Sequence, residues 1–323
     1  MKRIGVLTSG GDAPGMNAAV RAVVRSAIYH GVEVIGFERG YAGVLEGQGS
    51  QMDLRSVSGI INRGGTILRT ARSEEFRSPE GRERAAGILK RFMVEGLVVI
   101  GGDGSYRGAA EIAEEHGIKV VGVPGTIDND IGGTDFTIGF DTAVNTALEA
   151  IDKIRDTAAS HDRLFIVEVM GRHSGAIALH VGLAGGAEYV AIPEMKTDGS
   201  EICRMLNTGF KTGKTSSIIV VAEGDDAGGA LGLRALILEK TPYNDVRVSI
   251  LGHLQRGGVP SAFDRVLASR LGAAAVDVLL AGETMKMTCM GQNKIVTSPI
   301  TDAWEKPAPI DMDMVDLASI LAT

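Results

Sequence analysis

The chain has 323 residues, 44% of them hydrophobic and only 4% aromatic, enough for one large or two medium α/β domains with a core of Val, Ile, Leu and Ala. Its net charge of −7 argues against a general binder of nucleic acid or anionic membrane, but leaves room for a small anion held by a local arginine cluster. Cys203 and Cys289 make neither a metal spacing nor a disulfide framework, no signal-type apolar segment precedes the first strand, and no apolar run reaches membrane-spanning length, so a soluble cytoplasmic protein is expected.

Strand and helix signals alternate along the chain. Ile4–Thr8 reads as a strand, Met16–Tyr29 as a helix and Val32–Phe37 as a second strand. Ser78-Pro79-Glu80 opens a helix, with Ser as cap and Pro in the first turn. Leu97–Ile100 is a strand, followed by a Gly-rich turn and a helix through Ala109–Glu115, and Lys119–Val123 is a buried β-branched strand. In Asp141–Ser160, the residues Val144, Leu148, Ile151 and Ile154 recur at helical spacing. Strands are expected at Leu164–Met170, Tyr189–Ile192, Ser217–Ala222 and Val246–Leu251. Helices are expected at Ala176–Leu183, Glu201–Lys211 and Ala262–Leu280. This order predicts an α/β fold of two lobes, each a mainly parallel sheet sandwiched by helices. The lobes are placed at 1–138 and 139–250, with about 251–300 returning to the first and the C-terminal tail to the second.

The glycines cluster after apolar runs, where they let backbone approach a ligand. Ser9-Gly10-Gly11-Asp12-Ala13-Pro14-Gly15-Met16-Asn17 joins the first strand to a helix and is either a loop that approaches phosphate oxygens or a tight structural turn. It is neither a Walker A nor a Gly-x-Gly-x-x-Gly sequence, which disfavours a nicotinamide dehydrogenase. Gly101-Gly102-Asp103-Gly104-Ser105 repeats the design at another strand end, where Asp103 is placed either to hold Mg²⁺ beside phosphate or to cap a helix. Pro124-Gly125-Thr126-Ile127-Asp128-Asn129-Asp130 follows a third strand. It carries two carboxylates close together, and like charges that close tend to raise each other's pKa, which suits proton transfer; the alternative is a solvated Asp-rich turn. The strand-end position is where open α/β sheets bind ligands.

Positive charge is supplied by Arg72 and Arg77 after Gly64-Gly65, by Met170-Gly171-Arg172, and by Arg163, Arg247 and Arg256, the last in Gly252-His253-Leu254-Gln255-Arg256-Gly257-Gly258. Arginine suits bidentate phosphate recognition, although any single one is more often a surface ion-pair partner. Arg21 and Arg25 lie four apart on one helix face. They mark either a second anion site or a solvated basic stripe.

Taken in series, Gly-Gly-Asp-Gly-Ser, Pro-Gly-Thr-Ile-Asp-Asn-Asp, Met-Gly-Arg and Gly-His-x-Gln-Arg-Gly-Gly resemble the bacterial ATP-dependent 6-phosphofructokinases, over nearly the whole chain to about residue 300. The resemblance implies the phosphofructokinase fold and the phosphorylation of fructose 6-phosphate at its 1-hydroxyl by Mg-ATP. Gly11, Arg72, Ser73, Gly102, Gly104, Ser105 and Gly108 are then ATP positions, with Phe76 and Arg77 near the adenine and Asp103 the Mg²⁺ carboxylate. Asp128 is the base for the 1-hydroxyl. Thr126 and Arg172 contact the transferring phosphoryl, Arg72 adds charge, and Asp130 supports the magnesium and phosphate geometry. Met170, Gly171, Glu223 and Arg256 fall at sugar positions, and Arg163, Arg247 and His253 at the 6-phosphate. In the family Arg163 and Arg247 reach in from a neighbouring subunit, which implies a homotetramer.

Pyrophosphate-dependent members usually carry Asp where this chain has Gly104 and Lys where it has Gly125; a glycine at both places leaves room for the rest of ATP and removes the extra cation, which points to ATP. A non-catalytic nucleotide or sugar-phosphate sensor is disfavoured because Asp103, Asp128 and Arg172 are all present. The family's effector site, for ADP or phosphoenolpyruvate, is matched by Arg21, Arg25, Arg55, Arg155, Gly186, Glu188 and Lys214. Thr212 stands where a basic residue is usual, with Lys211 one place earlier, and Thr215 replaces a second frequent Lys. A weak effector response is therefore expected.

Overall fold

The computed structural model describes residues 1–161, 163–211, 216–241, 245–306 and 308–322. In chain order the first elements are β1 (Arg3–Thr8), α1 (Met16–Tyr29), β2 (Glu33–Phe37), α2 (Gly40–Glu46), β3 (Gly49–Met52), α3 (Pro79–Arg91), β4 (Gly96–Gly101), α4 (Asp103–His116) and β5 (Lys119–Pro124). There follow α5 (Phe140–His161), β6 (Leu164–Val169), α6 (Ala176–Ala184), β7 (Tyr189–Ala191), α7 (Gly199–Lys211), β8 (Ser217–Ala222), α8 (Gly229–Lys240) and β9 (Val246–Ile250). The last are α9 (Ala262–Leu280), β10 (Lys286–Gly291), β11 (Lys294–Pro299), α10 (Asp302–Glu305) and α11 (Met312–Leu321). Short 3-10 turns occupy Glu75–Arg77 and Gly252–Arg256.

The chain divides into two compact units. One comprises Met1–Thr142 and Arg256–Ala308; the other comprises Ala143–Gln255 and the segment from Pro309. The first is built on a seven-stranded sheet in the order β11-β10-β5-β4-β1-β2-β3. Its five inner strands run parallel, and β3 and β11 pair antiparallel at the two edges. β4 is buried along its whole length, as a parallel strand covered on both faces must be. Leu7, Leu97, Val99 and Val120 cluster with Tyr41, Ala85 and Tyr106 from α2, α3 and α4. Helices α1 and α9 pack closely on each other and on the sheet. A Cβ on Gly272 would meet the Ala19 carbonyl at 2.8 Å, so the α1–α9 crossing depends on a residue without a side chain.

Strands β1, β4 and β5 are neighbours in this sheet and run the same way. Their C-terminal ends, Thr8, Gly101 and Pro124, each lead into a motif loop. The ladder continues one step further, with Gly125 N–H donating to the Gly101 carbonyl (3.0 Å) and Ser9 N–H to the Ile100 carbonyl (3.0 Å). Three loops far apart in sequence are thereby gathered at one end of the sheet.

The second unit has a parallel four-stranded sheet, β7-β8-β6-β9. Leu164, Ile166, Ile219 and Val221 pack with Ile202, Leu206, Leu233 and Ile237 of α7 and α8. β6, β8 and β9 end at Val169, Ala222 and Ile250, the first two immediately before Met170 and Glu223 and the third separated by one residue from the 252–256 turn. A cavity of about 640 Å³ lies elsewhere in this unit, between β7, α7 and α11. It is lined by Glu188 but by none of the catalytic or substrate candidates. Among the described residues, no helix is long and apolar enough to cross a membrane.

Several elements differ from the sequence reading. The helix expected through Ala109–Glu115 begins at Asp103, so Gly104, Ser105 and Gly108 lie on α4 rather than in a loop. β6 stops at Val169 and leaves Met170 in the turn. Helices α2, α8, α10 and α11 and strands β3, β10 and β11 add to the elements read from the sequence.

Candidate active site

In the first unit, the loop after β5 is fixed by its own side chains. Asp128 N–H donates to Thr126 Oγ1 (3.2 Å), and Thr137 Oγ1–H donates to the Thr126 carbonyl (2.7 Å). Asn129 has a left-handed backbone, φ 50°. Its Oδ1 accepts the Thr137 N–H (2.8 Å), and its Nδ2 donates to the Asp135 carbonyl (3.2 Å). Thr126 and Asp128 are buried, at 8% and 5% exposure, whereas Asp130 is half-buried. A buried carboxylate in a loop this constrained has a defined position, as a group that must receive a proton from one substrate oxygen requires.

The loop after β4 stands beside it. A Cβ on Gly102 would lie 3.9 Å from Thr126 Cβ. Asp103 opens α4, where the first-turn N–H groups and the helix dipole favour negative charge. Around Gly104, by contrast, an added Cβ would find open space.

The loop after β1 is tight. Gly15, at φ 106°, starts α1, and a Cβ there would press on Ile138 at 2.7 Å. Arg256 packs over this loop, with Nη1–H donating to the Asp12 carbonyl (3.3 Å) and lying 2.6 Å from where a Gly11 Cβ would be. The structure therefore places Arg256, a sugar candidate, against Gly11, an ATP candidate.

The segment carrying Arg72 is held by two residues to which the sequence reading gave no role. Asn17 Nδ2 donates to the carbonyls of Arg63 (3.0 Å) and Gly64 (3.2 Å), and its Oδ1 accepts the Ile67 N–H (2.7 Å). Thr8 Oγ1–H donates to the Arg69 carbonyl (2.8 Å). Arg72 and Arg77 are exposed and Ser73 is half-buried. Phe76 is buried and stacked on Tyr41, with ring centroids 3.9 Å apart. A Cβ on Gly108 would touch Phe76 at 3.0 Å and Tyr41 at 3.3 Å, and Tyr41 OH donates to the Ser105 carbonyl (2.5 Å). Phe76, Ser105 and Gly108 thus form one packed group. Burial pushes the Tyr41 phenol far above its ordinary range.

In the second unit, the strand ends gather a separate set. Glu223 Oε1 accepts the N–H groups of Arg172 (2.7 Å) and Gly171 (3.3 Å), so part of this sugar candidate's carboxylate shapes the Arg172 turn. Arg172 and His253 are exposed, and Met170 is buried. Asp245 gathers both phosphate-grip candidates, with its Oδ2 2.7 Å from Arg163 Nε and its Oδ1 2.5 Å from Arg247 Nε. Those guanidiniums, Arg247 first, hold the Asp245 carboxyl below its usual range.

The family described as phosphofructokinase matches residues 3–279. This chain belongs to the phosphofructokinase family. It is 58% identical over 322 residues to ATP-dependent 6-phosphofructokinase 1 of Thermus thermophilus, and 58% identical over the same length to ATP-dependent 6-phosphofructokinase of Bacillus subtilis, with 100% of both chains covered in each case. Among solved structures, phosphofructokinase of Saccharomyces cerevisiae superposes with a TM-score of 0.89 at 38% identity, covering 100% of this chain. The chain spans 48% of that yeast chain. A pyrophosphate-dependent phosphofructokinase of Marinobacter aquaeolei shares the fold, with a TM-score of 0.85 at 23% identity, over 97% of this chain and 86% of its own.

The phosphofructokinase effector candidates fall in both units. Arg21 and Arg25 lie on one face of α1, and Arg55 is exposed in a turn whose N–H groups bind Asp53. Arg155 donates to the Gly185 carbonyl and, at 2.8 Å, to the Gly186 carbonyl, which caps the C-terminal end of α6. Glu188 Oε2 accepts the Ile218 N–H (2.5 Å). Arg155 and Glu188 thus have structural bonds of their own. Lys214, Thr212 and Thr215 lie outside the described residues, as does the side chain of Lys211.

Proposed function

We infer that this protein transfers the γ-phosphoryl group of ATP to the 1-hydroxyl of fructose 6-phosphate, giving fructose 1,6-bisphosphate and ADP, the committed step of glycolysis. The observation that carries this reading is the buried Asp128 in the clamped loop after β5, in a chain 58% identical end to end to ATP-dependent 6-phosphofructokinases.

The reaction needs positioning and charge stabilisation more than covalent chemistry. Asp128 accepts the proton of the sugar 1-hydroxyl as its oxygen attacks the γ-phosphorus, and the bond to the β,γ-bridging oxygen breaks. Arg72, Arg172 and Thr126 stabilise the charge on the transferring group. Gly11, Ser73, Gly102, Gly104, Ser105 and Gly108 seat the nucleotide with Phe76 and Arg77, and Asp130 supports the phosphate geometry. Met170, Gly171, Glu223 and Arg256 bind the sugar, while Arg163, Arg247 and His253 take its 6-phosphate.

Asp103 fits Mg²⁺ through a single carboxylate beside phosphate, the usual mode of that ion. Among the described residues no cluster of three or more His, Cys, Asp or Glu forms an all-protein cage. When bound, Mg²⁺ supplies neutralisation of the phosphate charge.

Gly104 favours ATP over pyrophosphate, because the open space beside it leaves room for the nucleotide. A side chain at Gly125 would meet Ile100 and Met16, 3.1 and 3.2 Å from its Cβ, so the absence of one also serves packing.

A homotetramer, with Arg163 and Arg247 lent to a neighbouring subunit, and weak ADP or phosphoenolpyruvate regulation complete the proposal, in a cytoplasmic setting. A coupled assay offering fructose 6-phosphate with Mg-ATP or with pyrophosphate tests it. Turnover with Mg-ATP is expected. Turnover with pyrophosphate alone refutes the donor, and turnover with neither refutes the enzyme.

A further inference from the structure

We infer that Gln255 is a positioning residue for phosphoryl transfer, its side-chain amide fixing the Met170–Arg172 turn from which the Arg172 guanidinium projects. The inference rests on the role proposed for Arg172.

β6 runs out of partners at this turn. Its ladder with β9 ends at Glu168↔Ile250, followed by one bond from Leu251 N–H to the Glu168 carbonyl (3.0 Å). On the other side, its ladder with β8 ends at Val169↔Ala222, followed by Glu223 N–H to the Val169 carbonyl (2.9 Å). The next three N–H groups are held by side chains. Met170 N–H donates to Gln255 Oε1 at 2.8 Å, and Gly171 and Arg172 donate to Glu223 Oε1.

The turn needs this support. Gly171 has φ 151° and Arg172 φ 56°, and a non-glycine residue in the left-handed region is strained. A Cβ on Gly171 would lie 2.3 Å from the Ser174 carbonyl, and one on Gly224 would lie 2.1 Å from the Arg172 carbonyl. Both positions therefore exclude a side chain.

Gln255 is fully buried. Its Nε2 has no hydrogen-bond partner among the described residues. Turning the amide over would set Nε2–H against the Met170 N–H. The bond to Met170 is therefore what this side chain supplies.

Gln255→Met separates positioning from stability. It keeps length and approximate volume, removes the unmet Nε2, and leaves Met170 N–H unmet instead. One unpaired buried donor replaces another, so thermal stability should move by no more than a few degrees. Turnover should fall by ~10–100-fold, the scale of a misplaced catalytic group, with the KM values for fructose 6-phosphate and ATP changing less than kcat.

The deciding measurement is a cycle with Arg172→Ala. If Gln255 acts through Arg172, Gln255→Met should slow the enzyme but add little to Arg172→Ala. Gln255→Glu, which retains an acceptor facing Met170, should give a kcat between those of the natural protein and Gln255→Met. It decides the matter should the Met variant fail to fold. A Gln255→Met enzyme with natural kcat, losses that multiply with Arg172→Ala, or equal losses in the Glu and Met variants each overturn the inference alone. A natural protein that does not phosphorylate fructose 6-phosphate overturns the phosphotransferase reading and the inference with it.

Discussion

The carboxylate of Asp264, on α9, is fully buried. Its Oδ1 accepts Gly139 N–H (2.8 Å), and its Oδ2 accepts Thr142 N–H (2.8 Å) and the Thr142 hydroxyl (2.5 Å). Burial outweighs these three bonds, and with repulsion from Asp141 it pushes the pKa from 3.8 up to about 6. The folded state therefore binds this proton more tightly than the unfolded chain. The stability so gained is complete below the unfolded pKa near 3.8 and is lost as pH rises through about 6. At 1.36 kcal/mol per unit the whole effect is about 3 kcal/mol, of which a little under half falls between pH 5 and 7.5. Urea unfolding of the natural protein and Asp264→Asn, at fixed protein concentration and both pH values, measures it. The variant should be less stable at pH 5, because its amide group faces a backbone donor, but it should lose on the order of 1 kcal/mol less than the natural protein on going to pH 7.5. Equal losses in the two proteins would show that Asp264 does not titrate in this range.

Asp128→Asn should lower kcat by ~10²–10⁴ and leave fructose 6-phosphate binding nearly intact; near-natural turnover in a folded enzyme removes Asp128 as the base. Arg163→Ala and Arg247→Ala should each raise the KM for fructose 6-phosphate roughly tenfold or more, the size of one charge-assisted contact. Steady-state kinetics with an unchanged sugar KM would refute the grip. Gly104→Asp should fold normally, since a carboxylate in the first turn of α4 suits the helix dipole, yet raise the KM for ATP roughly tenfold through repulsion of phosphate. An unaltered ATP KM would separate Gly104 from the nucleotide.

The alternating order of strands and helices was legible because buried parallel strands are near-continuous β-branched runs and the helices carry a distinct period. Met16–Tyr29, Ser217–Ala222 and Ala262–Leu280 have the same limits in the sequence reading and in the structure. The hairpin β10–β11 was not legible. Lys286-Met287-Thr288-Cys289 is a weak strand sequence, and the turn signal is only Gln292-Asn293, both left-handed at φ 48° and 63°, as a two-residue hairpin turn requires. At the site, the motif residues could be named in advance, but not which backbone groups their side chains hold. Asn17, Asn129 and Gln255 act on backbone groups 46, 8 and 85 residues away, and no local pattern encodes such distances. Nor could spacing reveal that Arg256 lies against Gly11, or that Arg163 and Arg247 share Asp245.

The order in which the first unit's pieces occur has a consequence for synthesis. Residues up to Thr142 leave the ribosome without α9, β10 and β11, which arrive only after the intervening stretch Ala143–Gln255. Until then the apolar face of α1 that meets α9 is bare, and β5 is an open edge awaiting β10. At about 5–20 residues per second, roughly a hundred residues of delay is on the order of 5–20 s, long compared with the ~0.1–100 μs of hydrophobic collapse. The nascent chain thus passes through an interval in which an incomplete parallel sheet has time to meet another, and chaperone occupancy during translation should peak there.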